Sequence, residues 1–176
     1  MNEHSFTFPD MPRTRVIPDT HVFAAIQRLL DRGGDKAVSF GSVSATTGLA
    51  PPTLVQRYGS RDGMVRAARL AFWDEVEHRT ALAIAGTADK GPQGLLKAIG
   101  PVDAGAVAGD LRFPDLAARA TGWRAAVETA LAHRLGNTPK SRESSALLFA
   151  AWQGQALWSA AGEPAFRLKD AVKRLT

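Results

Sequence analysis

The sequence predicts an all-α protein of about nine helices, and three observations carry that expectation. Hydrophobic residues make up 45% of the chain but aromatic ones only 7%, so Ala, Leu and Val supply most of the apolar surface, a composition suited to helices rather than sheets. Apolar residues recur at three- and four-residue spacing along most of the chain. Glycines and prolines mark several of the breaks between those segments, among them Gly33-Gly34, Gly48, Gly59 and Pro139, and no stretch alternates convincingly as a strand would.

The elements follow in order. Residues 1–18 hold Pro9, Pro12 and Pro18 with little periodicity and read as a flexible arm that carries Arg13 and Arg15. Asp19 is the expected N-cap of the first helix, followed by Val22, Phe23, Ile26, Leu29 and Leu30 at helical spacing, with Gly33-Gly34 as its stop. Ser39 starts a short second helix that carries Val43 and ends at Gly48. Ala50-Pro51-Pro52 opens a short third helix, since a proline in a first turn gives up no intrahelical bond. That helix runs to Tyr58, and Gly59-Ser60 ends it and caps the next. A long fourth helix from Arg61 to about Ala85 shows a stripe of Val65, Ala68, Phe72, Val76 and Leu82.

Gly86 to Pro92 is a break, and Leu95, Leu96 and Ile99 mark another helix. Pro101 to Gly109, rich in Gly and Ala, carries no clear signal. Pro114 starts a short helix with Leu116, and Thr121 to Leu135 forms a separate one with Trp123, Val127 and Leu131 on one face. Ser141 to Ala161 is a long helix with Leu147, Leu148, Trp152, Leu157 and Trp158, and Pro164 begins a last one through Phe166, Leu168, Val172 and Leu175. The expected organisation is an arm (1–18), a three-helix part (19–60) and a larger helical part (61–176).

Composition removes several function classes. The absence of cysteine excludes disulfides, thiolate metal sites and a cysteine nucleophile. No apolar run approaches the roughly 18 to 20 residues of a membrane helix, and the first 18 residues lack the pattern of a secretory signal; the expected compartment is the cytoplasm. His4, His21, His78 and His133 are scattered, and Asp74 with His78, one turn apart, reads as a surface ion pair rather than the start of a metal site. There is no phosphate-binding glycine loop and no Gly-x-Ser-x-Gly elbow. Neither enzyme activity nor a cofactor is expected. Lys and Arg number 22 against 17 Asp and Glu, a net charge of +5, and through Arg69 the count is 9 against 6. Basicity alone does not identify a partner.

Two short helices joined by a turn holding Gly48, with Val43, Leu49 and Leu54 spaced to pack them together, match the layout of a helix–turn–helix, although helix pairs of this kind also occur outside DNA-binding proteins. The stretch from Ala37 to Val65 (AVSFGSVSATTGLAPPTLVQRYGSRDGMV) resembles the DNA-binding module of the TetR family of bacterial transcription regulators. Ser39 stands at the cap of helix two and Val43 at the core aliphatic. Gly48-Leu49 matches the turn glycine with its hydrophobic follower, and Thr53-Leu54 the Thr-Leu of the recognition helix. Tyr58 falls at an aromatic position, and Gly59-Ser60-Arg61 resembles the family's Gly-Ser-Lys. The similarity covers about residues 19–70; beyond them only helix number and length agree. Four positions depart from the pattern: Ala50 where a capping Ser or Thr is common, Val55 where a phosphate-contacting Tyr is common, and Gly41 and Gly63 in place of better helix formers.

The resemblance implies a homodimeric, ligand-responsive regulator, most simply a repressor, on a palindromic double-stranded operator. Its DNA-binding residues would be Ser39, Pro51, Pro52, Thr53, Val55, Gln56, Arg57, Tyr58 and Arg61. Gln56 and Arg57 lie on the polar side of helix three, where Gln suits adenine and Arg suits guanine; a plain solvated helix face accommodates the same residues. A pocket for a small apolar effector would fall among Phe72, Trp73, Val76, Leu95, Ile99, Phe113, Trp123 and Val127, residues that suit an ordinary core equally well. The last two helices would form a four-helix bundle with a second copy, through Leu147, Ala150, Ala151, Gly154, Leu157, Trp158 and Ala161. The alternative function is a helical ligand- or partner-binding protein whose DNA module is degenerate.

Overall fold

The computed structural model describes residues 17–163 and 166–175. Residues 1–16 of the expected arm, with Arg13 and Arg15, lie outside the described residues, as does Pro164. Among the described residues there are nine α-helices, two 3-10 turns and no strand. The chain divides into two compact units between Ala68 and Arg69. This boundary falls inside a helix, and eight residues beyond the expected one, because Met64 and Ala68 bury themselves in the core of the first unit.

The first unit holds α1 (Asp19–Gly33), a 3-10 turn (Asp35–Ala37), α2 (Phe40–Thr47), α3 (Pro51–Tyr58) and the first two turns of α4 (Arg61–Gly86). Its core is Val22, Ile26, Val38, Val43, Leu54, Met64 and Ala68, with Phe23, Leu49 and Tyr58 partly buried against it. Asp19 is not the cap of α1; the capping position belongs to Pro18 and has no side-chain bond, because the Asp19 carboxylate is engaged elsewhere. Ser39 and Ser42 form a reciprocal capping box on α2, with Ser42 N donating to Ser39 Oγ at 3.0 Å and Ser39 N to Ser42 Oγ at 2.9 Å. Gly48 closes α2 in the left-handed region, φ 76°, a conformation glycine adopts without the steric cost that a Cβ brings.

Ala50 supplies no cap to α3, yet little is lost. The first two helical positions are prolines with no N–H to satisfy, and the Thr53 N–H donates to the Ala50 carbonyl at 2.9 Å. Gly63 is required sterically, since a Cβ there would overlap the Tyr58 carbonyl oxygen, while Ser60 Oγ caps this turn by accepting from Gly63 N at 2.9 Å. Nothing in the structure explains Gly41, where a Cβ would meet only Ser39 Oγ at 3.7 Å.

The second unit contains the rest of α4, α5 (Pro92–Ile99), α6 (Ala104–Asp110), α7 (Pro114–Arg134), α8 (Pro139–Trp158), a 3-10 turn (Ser159–Ala161) and α9 (Leu168–Leu175). α6 occupies the stretch without a clear sequence signal; Asp103 caps it, its carboxylate accepting from Ala106 N at 2.7 Å. The two helices expected on either side of Thr121 are one. Leu116, Ala120, Trp123, Val127 and Leu131 form a single buried stripe across that point, and the surrounding alanines carry the helix through Thr121-Gly122. α8 begins at Pro139 with Thr138 as its cap and ends at Trp158, and α9 begins at Leu168, leaving Phe166 exposed ahead of it. Leu82, expected on the inner stripe of α4, is 60% exposed.

The core of this unit is built on aromatic rings. Trp123 lies 6.0 Å from Trp73, 5.6 Å from Phe149 and 6.3 Å from Trp152, centroid to centroid. Their polar edges are satisfied: Trp123 Nε1 donates to Thr80 Oγ1 at 2.8 Å, and Trp73 Nε1 to Asp110 Oδ2 at 2.8 Å. Asp110 also accepts from Arg69 Nε at 2.9 Å and Arg69 Nη2 at 2.6 Å, both residues being buried. Removing one side of such a pair leaves an uncompensated charge in the interior, at a cost of about 3–5 kcal/mol. Asp110→Ala is therefore expected to destabilise the second unit by about that amount. All four tryptophans lie in this unit, so urea unfolding followed by their fluorescence reads the effect directly, and a loss below about 1 kcal/mol would show that the pair carries no such weight.

Candidate nucleic-acid interface

α3 is eight residues long and buries only Leu54 completely. Pro51 and Val55, one turn apart, and Pro52 and Gln56, likewise one turn apart, give it an outward face on which all four are exposed. Val55 is 44% exposed. The Gln56 side chain makes no hydrogen bond among the described residues. Thr53 is half-buried, and Ser39, exposed at the start of α2, is engaged in the capping box.

The two arginines expected to meet DNA are bound within the unit. Arg57 Nη1 donates to the Ile17 carbonyl at 2.7 Å and lies 3.4 Å from the Asp19 carboxylate. Arg61 Nε donates to the Val38 carbonyl at 3.1 Å, its Nη2 pairs with the Asp35 carboxylate at 2.8 Å and also donates to the Asp35 carbonyl, and its Nη1 bonds Asp62 at 2.9 Å. Hydrogen bonds to Asp35 and then Asp62 hold its guanidinium still further above the usual arginine range. Arg61 thus ties the 3-10 turn to the start of α4. Tyr58 turns inward as well: its ring packs on Phe23 with centroids 6.0 Å apart, and its hydroxyl donates to Asp19 Oδ1 at 2.6 Å. Sequence reasoning missed Asp19 as the acceptor for both side chains, because the three residues are brought together only by the fold.

The first unit also has a shallow groove of about 200 Å³ lined by Ile17, His21, Ala24, Arg28, Thr46 and Thr47. His21, Ala24 and Arg28 stand at helical spacing on α1, which is the signal that would have grouped them.

In the second unit, the residues expected around an effector fall into two groups. Trp73, Val76, Leu95, Ile99, Trp123 and Val127 are buried and belong to one core cluster, with Phe72 packed against it under the Arg69 guanidinium at 4.1 Å. Phe113 does not join them; it stands 47% exposed at the start of α7. Asp74, read as a partner of His78, instead bonds Arg119 at 2.6 Å, which also holds Glu77.

The residues expected at a dimer contact share the outer side of α8, except Ala161, which lies in the 3-10 turn that follows it. Leu147, Leu157 and Trp158 are 58%, 57% and 68% exposed, Ala150 and Ala161 are exposed, and Ala151 and Gly154 are half-buried. A Cβ on Gly154 would meet nothing within 4 Å. No helix among the described residues is long and apolar enough to cross a membrane. Comparison with protein-family models, with curated proteins and with solved structures yields no match.

Burial and then the bond to Asp19 push the Tyr58 hydroxyl up to about 12 from its ordinary value near 10. The folded state therefore favours the protonated phenol. Its stabilising contribution is complete below pH 10 and is lost as pH rises towards 12. Tyr58 is the only tyrosine, so absorbance at 295 nm follows it alone: the native midpoint should sit well above that of the urea-unfolded chain, and Asp19→Asn should lower it. Coincident midpoints would mean that the Asp19 bond does not form.

Proposed function

We propose that the chain is a TetR-like, dimeric DNA-binding transcription regulator, acting as a ligand-responsive repressor on a palindromic operator. The observation that carries this reading is the pair of eight-residue helices α2 and α3 around the left-handed Gly48, packed on a small core of their own with one face of α3 turned outward. A helix entering the major groove needs this arrangement, a short, firmly seated element whose outer side chains are uncommitted. Pro51, Pro52, Val55 and Gln56 face the bases in this reading. Arg57, Tyr58 and Arg61 hold the recognition helix in place, and Ser39 meets a phosphate at the start of α2.

One such helix reads only a few base pairs, so a palindrome demands two copies. The outer stripe of α8 is the proposed contact: small residues permit close helix approach, and Leu147, Leu157 and Trp158 supply apolar area. A small apolar effector in the second unit would release DNA by favouring the geometry in which the two recognition helices no longer match the half-sites. The inward commitment of Arg57 and Arg61 favours a second reading, a helical ligand- or partner-binding protein whose module no longer meets DNA. Mobility shifts with flanking intergenic DNA separate the two, since no shift even at low salt decides for the second.

Leu157→Glu with Trp158→Glu should convert the dimer to a monomer in light scattering and weaken operator binding at least about tenfold. Thermal unfolding of the monomer should change little, because both side chains are more than half exposed in the single chain. A wild-type chain that is monomeric throughout the micromolar range would remove the dimer from the reading.

A further inference from the structure

We infer that the half-site read by α3 is rich in A·T pairs, with Val55 meeting thymine methyl groups and Gln56 bonding adenine. The inference rests on the proposed reading of α3 as a recognition helix and names the sequence class which that helix would select.

Three observations carry it. The outward face of α3 holds no uncommitted cation. Guanine is most often recognised by an Arg or Lys that reaches its O6 and N7 together. The only basic residue of α3 is Arg57, whose side chain is 26% exposed and directed to the Ile17 carbonyl and Asp19. To reach a base it would have to abandon both.

What does face outward has a different chemistry. Val55 leaves nearly half of a branched apolar side chain in water on a helix that otherwise buries its only leucine. In the major groove the one apolar group on a base edge is the thymine C5 methyl. Gln56, next to it, presents a side-chain carbonyl and amino group without a partner among the described residues, the pair that matches adenine N6 and N7. Adjacent thymine- and adenine-directed side chains on one short helix favour consecutive A·T pairs.

The start of α3 contributes no competing attraction. Its first two residues are prolines and lack the N–H groups with which a helix N-terminus holds a phosphate. Phosphate contact falls instead to the start of α2, and the outward side chains of α3 are left to read bases.

The test is selection of binding sites by the full-length protein from a random duplex library, followed by affinity measurements on the selected site. The expected motif has A·T pairs at two or more adjacent positions of each half-site. Replacing its thymines with uracil, which removes only the methyl group, should weaken wild-type binding about tenfold and Val55→Ala binding far less. Gln56→Ala should relax the preference for adenine at one position. Half-sites centred on guanine, with that preference lost in Arg57→Ala, would overturn the inference while leaving DNA binding intact. Equal binding of thymine and uracil sites would also overturn it. Failure of the wild-type protein to enrich any sequence would overturn the DNA-binding reading and this inference together. The wild-type selection and the uracil exchange decide the matter whether or not Arg57→Ala folds.

Discussion

The Asp19 carboxylate accepts the Tyr58 hydroxyl at 2.6 Å and lies 3.4 Å from the Arg57 guanidinium, so the first turn of α1 holds the last turn of α3. Much in the first unit follows from this one junction. It takes Asp19 away from capping its own helix, leaving that position to Pro18. It engages the only cation of α3 at the surface of the unit and turns its only aromatic ring inward. Arg61 repeats the device a few residues on, joining α4 to the 3-10 turn through Asp35 and Val38. Individually such half-exposed pairs are worth little, about 0–1 kcal/mol. Together they act on a helix of only two turns, which has little stability of its own and depends on tertiary contacts for its orientation. The positive charges near α3 thus serve cohesion, and the outward face is left to neutral groups.

The second unit solves a different problem. Its core contains three tryptophans and a buried ion pair, and the polar atoms among them are all bonded: among the described residues no buried side-chain nitrogen or oxygen lacks a partner. α8 is apolar on two sides. It buries Leu148, Phe149 and Trp152 together with Ser144 and Ser145, whose hydroxyls donate to the Leu175 and Arg142 carbonyls, while Leu147, Leu157 and Trp158 stand in water. A helix that also displays leucines and a tryptophan on its outer side is not patterned for a solvent boundary there. Isolated exposed apolar residues need no explanation, but a stripe of them along one helix with small residues between does. A second copy of the chain accounts for it in the proposed reading.

How much of this was legible in the sequence depends on the range of the force involved. Caps and turns are decided within a few residues, so Gly34, Ser39, Gly48, Pro51 and Gly59 marked their boundaries correctly. The break expected at Thr121 failed because a buried stripe from Leu116 to Leu131 outweighs two weak helix formers. Helical spacing put Leu82 on the inner stripe of α4 and the resemblance put Phe113 in a pocket, but neither signal says which apolar residue the fold covers, and both stand exposed. The outer stripe of α8 was legible as a face of small and apolar residues. The fates of Arg57 and Arg61 were not. Their partners Asp19 and Asp35 lie 38 and 26 residues away, and nothing local distinguishes a solvated arginine from one that pins two helices.

The charge distribution ties the two faces of the proposed regulator together. The chain carries +5 overall, but through Arg69 only 9 basic residues stand against 6 acidic ones, and Arg57 and Arg61 are already neutralised within the unit. Affinity for DNA grows with the number of phosphates a protein neutralises. A single copy therefore has a shallow electrostatic attraction, and a neutral reading face adds discrimination rather than strength. In the proposed dimer, two copies joined through α8 would double the contacts and make the second half-site an intramolecular target, which multiplies affinity without any new charge. In the proposed reading, a chain that uses its arginines to hold α3 rigid would need a dimer face more than a highly basic one would. The exposed leucines and tryptophan of α8 and the neutral face of α3 are then two halves of one arrangement.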